Sequence, residues 1–178
     1  MDTRPRQHSS EVMDIAARRM MTAILTYRGE GPEPENLEVL VQQLKEAMYV
    51  SPDGFTRALM LFKAGWSPDE AIVRIVSTNS GHERLALKEA EERWVMLTGT
   101  RFPAKEGDVV TAIVNAQHVT GKVLAVRSTM ARALIEVPGT SVGSGTHDVA
   151  AEHVVRRYDG TASVAVDCLR AEVGFHVA

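Results

Sequence analysis

The chain has 178 residues, of which 44% are hydrophobic and 24% are charged, so it can build the core of one domain or of two very small ones. These values exclude a large multidomain enzyme, a disordered chain and a fibrous protein. Twenty lysines and arginines against 23 aspartates and glutamates give a net charge of −3, which disfavours the broad positive surface of backbone-driven nucleic-acid binding.

The cysteine content and the hydropathy pattern indicate where the protein resides. The single cysteine, Cys168, permits no internal disulfide, as is typical of proteins from a reducing compartment. The apolar runs are shorter than the roughly 18–20 residues that cross a bilayer, and the N-terminal residues lack the apolar core of a signal peptide. We therefore expect a cytoplasmic protein with no membrane partner.

Before about residue 100 the apolar residues recur at helical spacing. This pattern predicts five helices, at about 10–27, 35–49, 52–63, 68–77 and 81–97. Five helices in about 100 residues form a compact bundle. Its methionine-rich helix faces also make a homo-oligomer one of the options.

The same three-residue sequence precedes the third and the fourth helix. Ser51-Pro52-Asp53 recurs as Ser67-Pro68-Asp69, each time directly before an apolar helical pattern. A serine accepts hydrogen bonds from the free amides of the first turn, and proline fits the first helical position. We therefore expect the two serines to be N-caps and the two prolines to begin the helices.

Trp66 stands in the turn between these two helices and has two interpretations. As a core residue its ring would pack between them. The run 62–72 is also similar to the signature of small ubiquitin-associated domains, which makes Trp66 a candidate contact residue. A DNA-reading helix-turn-helix is disfavoured, because the fourth helix begins with Asp69 and Glu70, where DNA contacts are usually made.

After Gly99 the apolar residues alternate or cluster in short valine-rich runs, which predict strands. The predicted strands lie within 105–114, 121–126, 131–137 and 149–157. A Gly-Asp pair before the first, a Gly-Lys-Val opening of the second and a late Val-Val-Arg-Arg resemble the small five-stranded barrels of the Tudor, KOW and related Src-homology type.

The resemblance implies an α+β protein in which an N-terminal bundle of about five helices is followed by a small Src-homology-like β-barrel. The expected domains are a helical domain at 1–100, the barrel at 101–160, and a C-terminal strand or tail at 161–178.

The predicted barrel is expected to provide a contact surface and no reaction centre. No Trp, Tyr or Phe lies between Pro103 and Arg157, so we expect no aromatic cage, no groove for proline-rich peptides and no stacking platform for single-stranded bases. The glycine-rich segment 138–147 is expected to be a mobile connector or a contact loop. The candidate contact residues are Lys122, Arg127, Arg132, Ser144, His147, Arg156 and Arg157.

No motif assembles a reaction centre. The only close histidine pair, His147 and His153, has no partner at a recurring metal spacing, so neither a metal site nor a cofactor is predicted. Cys168 fits a small buried hydrophobe better than a nucleophile. Gly143-Ser144-Gly145 is one residue too short for a nucleophile elbow. We therefore predict no catalytic residue and no enzymatic activity.

The sequence favours a non-catalytic binding or regulatory protein whose partner is another protein. By analogy with phage and plasmid proteins that block a host complex, it would be an inhibitor or accessory factor of a larger assembly. Two alternatives stay open. One is a nucleic-acid-binding transcription or translation accessory factor in which the four barrel arginines contact phosphates, and the other is a small hydrolase that uses His147 or Cys168.

Overall fold

The computed structural model describes residues 3–30, 35–77, 81–138 and 145–158, together with the backbone of 163–165. The chain forms two compact units, Met1–Trp94 and Val95–Ala178. Helices precede strands along the chain, so the predicted α+β fold class is confirmed. The predicted division into three parts stays a prediction, since most of its last part lies outside the described residues.

Five α-helices occur in the described residues, as predicted. They are α1 Ser10–Arg28, α2 Leu37–Val50, α3 Gly54–Lys63, α4 Glu70–Val76 and α5 His82–Thr98. Their apolar faces form the core of the helical unit, because side chains three and four residues apart share one side of a helix. The α1 methionines Met13, Met20 and Met21 are all buried, so they fill this core. Within the described ranges, no helix is both long and apolar enough to cross a bilayer.

The first residues of α3 and α4 differ from the predicted ones. Asp53 is the N-cap of α3, and its carboxylate accepts a hydrogen bond from Thr56 N at 2.7 Å. Asp69 is the N-cap of α4 and accepts from Ile72 N at 2.9 Å. The prediction that the preceding serines are the caps was therefore wrong by two residues. A carboxylate is a stronger acceptor than a hydroxyl and complements the positive end of the helix.

Within the described residues, six antiparallel strands form one sheet. They are β1 Val109–Val114, β2 Gln117–Arg127, β3 Arg132–Val137, β4 Gly145–Ala150, β5 Val154–Tyr158 and β6 Ser163–Ala165. The prediction of one strand over 149–157 was wrong, because a 3-10 turn at Ala151–His153 separates β4 from β5. The predicted connector 138–147 is also shorter than expected, because β4 begins at Gly145.

The strand order is β4-β3-β2-β1-β5-β6, so β1 lies between β2 and β5. Alternate residues of β1 are buried, with Val110 and Ala112 both 0% exposed. They belong to a second apolar core with Val123 of β2 and Ile135 of β3. In the described residues the terminal strands β4 and β6 do not pair with each other, so closure into a Src-homology-like barrel stays a prediction.

Candidate functional site

Helix α3 has a buried side and an exposed apolar side. The side that packs into the helical unit is formed by Gly54, Arg57, Ala58 and Leu61, all buried. The other side carries Phe55, Leu59 and Phe62, which are 71%, 44% and 63% exposed. Residues at i, i+4 and i+7 fall on one face of an α-helix, so these three form a continuous line. We name it the α3 stripe.

The α3 stripe is an exposed apolar surface. Large apolar side chains grouped on an exposed face are typical of sites that bind other proteins. Burying one phenylalanine or leucine side chain against a partner stabilises a complex by about 1.5–3 kcal/mol. The spacing is also that of the anchor residues by which an amphipathic helix enters an apolar groove.

A buried arginine fixes the orientation of α3. Arg57 donates from Nε to Ser51 O at 2.6 Å, from Nη1 to Val76 O at 2.7 Å and from Nη2 to Glu83 Oε1 at 2.7 Å. It therefore joins α3 to the ends of α2 and α4 and to the first turn of α5. Arg57 reaches these partners only when its side of α3 faces the helical unit. The three residues of the α3 stripe are therefore directed to solvent.

The start of α3 also requires a close approach to α4. A Cβ added at Gly54 would lie 2.8 Å from both Ser77 Cβ and Val73 O. Only glycine fits there without displacing backbone. This contact and the Arg57 hydrogen bonds together hold α3 in a single position on the bundle.

Trp66 lies at a core position of the helical unit. It is 7% exposed, and its Nε1 donates to Gln43 Oε1 at 2.7 Å. The Arg28 guanidinium lies over the ring, 5.9 Å from its centroid. The ring therefore packs within the helical unit, where a partner could not reach most of it.

Three of the four arginines proposed for phosphate contacts are ion-paired with aspartates. Arg127 Nη1 and Arg132 Nε lie 3.1 and 3.2 Å from the same atom, Asp148 Oδ2. Arg157 Nε lies 2.8 Å from Oδ2 of Asp108, a buried residue. A phosphate would have to compete with these carboxylates, so the four arginines do not form a common positive surface.

The remaining two cations lie together on one side of the sheet. Lys122 of β2 is opposite Val109 of β1, and Arg156 of β5 is opposite Thr111 of β1. Directly opposed residues project to the same side, so both exposed cations flank β1. We name this side, which faces away from the buried Val110 and Ala112, the outer face.

Of the two loop candidates, the described one, His147, is not on this face. His147 lies on β4 opposite the fully buried Ile135 and is itself half-buried. Its Nε2 is buried and has no hydrogen-bond partner among the described residues. Ser144 and Cys168 lie outside the described residues, so their predicted roles stay predictions.

Sequence reasoning missed the α3 stripe and one aromatic residue. A signal for the stripe was present, since α3 contains more large apolar residues than one buried face can hold. Tyr158 lies one residue beyond the range in which aromatic residues are absent, and it is half-buried on β5. The expectation that the sheet offers no ring for stacking is therefore corrected.

Two further findings concern metal binding and similarity to known proteins. The described residues contain no group of three or more His, Cys, Asp or Glu that could hold a metal ion. Comparisons of the chain with protein-family models, with curated proteins and with solved structures gave no significant match, so its function must be inferred from its own residues.

Proposed function

We propose that this protein is a non-catalytic, cytoplasmic binding or regulatory protein that acts by contacting another protein through the α3 stripe. The exposure of Phe55, Leu59 and Phe62 along one helix face is the observation that carries the proposal. The partner would present an apolar groove that accepts these three side chains. An inhibitor or accessory factor of a larger complex would act in this way.

The rigid seating of α3 supports this proposal. A contact helix that is already ordered loses little conformational entropy on binding. The contacts of Arg57 and Gly54 fix the position of α3 in the absence of a partner. The partner's apolar contacts can therefore contribute directly to affinity.

The nucleic-acid alternative based on four arginines has less support. Arg127, Arg132 and Arg157 are ion-paired with aspartates, which lowers the positive potential that a phosphate would meet. The hydrolase alternative is also weaker, because His147 is half-buried opposite Ile135 and no described nucleophile hydrogen-bonds to its Nε2.

The test is quantitative capture from an extract of the native host after nuclease treatment. The baits are the full chain and its Phe62→Ser and Leu59→Ser variants. Both positions are exposed, so each variant should fold with a stability change within about 0.5 kcal/mol. Loss of a buried anchor of about 2 kcal/mol would reduce affinity roughly 30-fold.

Leu85 provides a matched control. It is 44% exposed, like Leu59, but lies on α5 outside the α3 stripe. We expect Leu85→Ser to retain a partner that Leu59→Ser and Phe62→Ser lose. Equal recovery by all baits, or recovery that nuclease abolishes, would overturn the proposal.

A further inference from the structure

The outer face combines cations, hydroxyls and one aromatic ring around β1. Its residues are Val109, Thr111 and Ile113 of β1, His118, Thr120 and Lys122 of β2, and Arg156 and Tyr158 of β5. None of these eight residues is acidic. Strands β1, β2 and β5 therefore contribute only positive charge to this side, and exposed Glu136 of β3, opposite Lys122, contributes one negative charge.

Register sets the spacing of the charged groups. Lys122 and Tyr158 are both opposite Val109, one on each side of β1, and Arg156 is two residues from Tyr158, opposite Thr111. Two strand spacings of about 4.8 Å place the backbones of β2 and β5 about 10 Å apart. An extended anionic chain that crosses β1 can therefore reach both cations.

The Tyr158 side chain lies along this face. Hydrogen bonds from Arg156 and from Thr111 lower the pKa of the Tyr158 phenol. Because Tyr158 is opposite Val109 and its hydroxyl reaches the Arg156–Thr111 pair, the ring extends along the strands. The Thr111 and Thr120 hydroxyls, 2.9 Å apart, continue the polar surface toward β2.

One acidic side chain of the described residues, Glu136, is adjacent to a cation of the outer face. Glu136 of β3 is the cross-strand neighbour of Lys122, yet among the described residues neither Lys122 nor Arg156 forms an ion pair with a carboxylate. This differs from Arg127 and Arg132, which share Asp148.

From this juxtaposition we propose that the outer face binds single-stranded nucleic acid, with Lys122 and Arg156 contacting phosphates and the Tyr158 ring stacking on a base. Single strands are favoured because stacking on a side chain requires a base that is free of its helical neighbours. Apolar Val109 and Ile113, 37% and 39% exposed, lie on the same side of β1 and add apolar surface for base contact. This binding site is separate from the α3 stripe, and either proposal can fail without the other.

The test measures direct binding by the purified full chain. Fluorescence anisotropy follows a labelled thymidine or uridine oligonucleotide of about 12 nucleotides, within the length range that small β-barrels bind. We expect Lys122→Gln and Arg156→Gln each to weaken binding and to reduce the slope of log affinity against log salt by about 0.7. Tyr158→Leu should lower affinity at least about fivefold.

Two control variants separate the outer face from general charge. Arg127→Gln removes an exposed but ion-paired cation, and Tyr158→Phe keeps the ring while it removes the hydroxyl. We expect both to bind within about twofold of the parent chain. Circular dichroism confirms that each variant is folded.

Four outcomes would overturn the inference. They are no binding at low salt, an equal loss in Arg127→Gln and Lys122→Gln, full affinity in a folded Tyr158→Leu, and equally effective competition by a poly-glutamate peptide. The last result would identify the face as a site for acidic polypeptides.

Discussion

Replacement of Arg57 by leucine tests whether the buried guanidinium holds α3 in place. Arg57 is 2% exposed and satisfies two carbonyls at the ends of α2 and α4, where backbone oxygens lack helical partners. Leucine is also a good helix former, so intrinsic propensity changes little. It leaves Glu83, only 6% exposed, without its counter-charge.

The expected loss in unfolding free energy is about 3–5 kcal/mol, the usual cost of removing one partner of a buried ion pair. Domains of this size are stable by only about 5–15 kcal/mol, so the variant should be severely destabilised. Glu83→Gln keeps an acceptor for Arg57 and should cost less, about 1.5–3 kcal/mol.

Urea unfolding followed by tryptophan fluorescence reports on the correct unit, because both tryptophans, Trp66 and Trp94, lie in Met1–Trp94. Arg74→Leu is the matched control. Arg74 pairs with Glu70 at 3.0 Å, but their side chains are 77% and 90% exposed. The Arg74→Leu variant should change the free energy of unfolding by no more than about 0.5 kcal/mol. A loss below about 1 kcal/mol for Arg57→Leu, or one equal to the control, would refute the reasoning.

Three further predictions concern the backbone and pH. Ala116→Gly should stabilise the sheet unit by about 1 kcal/mol in calorimetry, because Ala116 has φ 62° in the two-residue β1–β2 turn. Gly121→Ala should destabilise the same unit, because a Cβ there would lie 2.5 Å from Glu136 O. Amide hydrogen bonds from Thr56 and from Ile72 lower the pKa of Asp53 and of Asp69 below the ordinary range of an aspartate. The stability of the helical unit, followed by urea unfolding, should therefore fall as pH drops from about 5 through these depressed values.

Each of these has a matched control. Ala125→Gly, at an exposed β2 position without positive φ, should not stabilise. Gly145→Ala, with nothing within 4 Å of the added Cβ, should be tolerated. The double variant Asp53→Asn, Asp69→Asn retains a capping oxygen at both positions but does not titrate there. Its free energy of unfolding should therefore depend less on pH. An unchanged pH profile would show that the caps do not carry this dependence.

Local signals in the sequence determined the secondary structure and the fold class. The helical spacing in α1 predicts a helix at about 10–27, and the helix is Ser10–Arg28, ended by Gly29 at φ 68°. Such features depend on neighbours within a few residues, so the chain itself encodes them. The N-caps of α3 and α4 were misplaced because Ser and Asp both cap helices, and only the final geometry selects between them.

Only the tertiary structure decided which groups are accessible. Periodicity shows that α3 is apolar, but its orientation depends on Arg57 meeting Val76 and Glu83, 19 and 26 residues away. Likewise, Arg132 is paired because the β3–β4 register brings Asp148 beside it, 16 residues along the chain. Exposure and ion pairing are properties of contacts between distant residues, and sequence spacing alone does not specify those contacts.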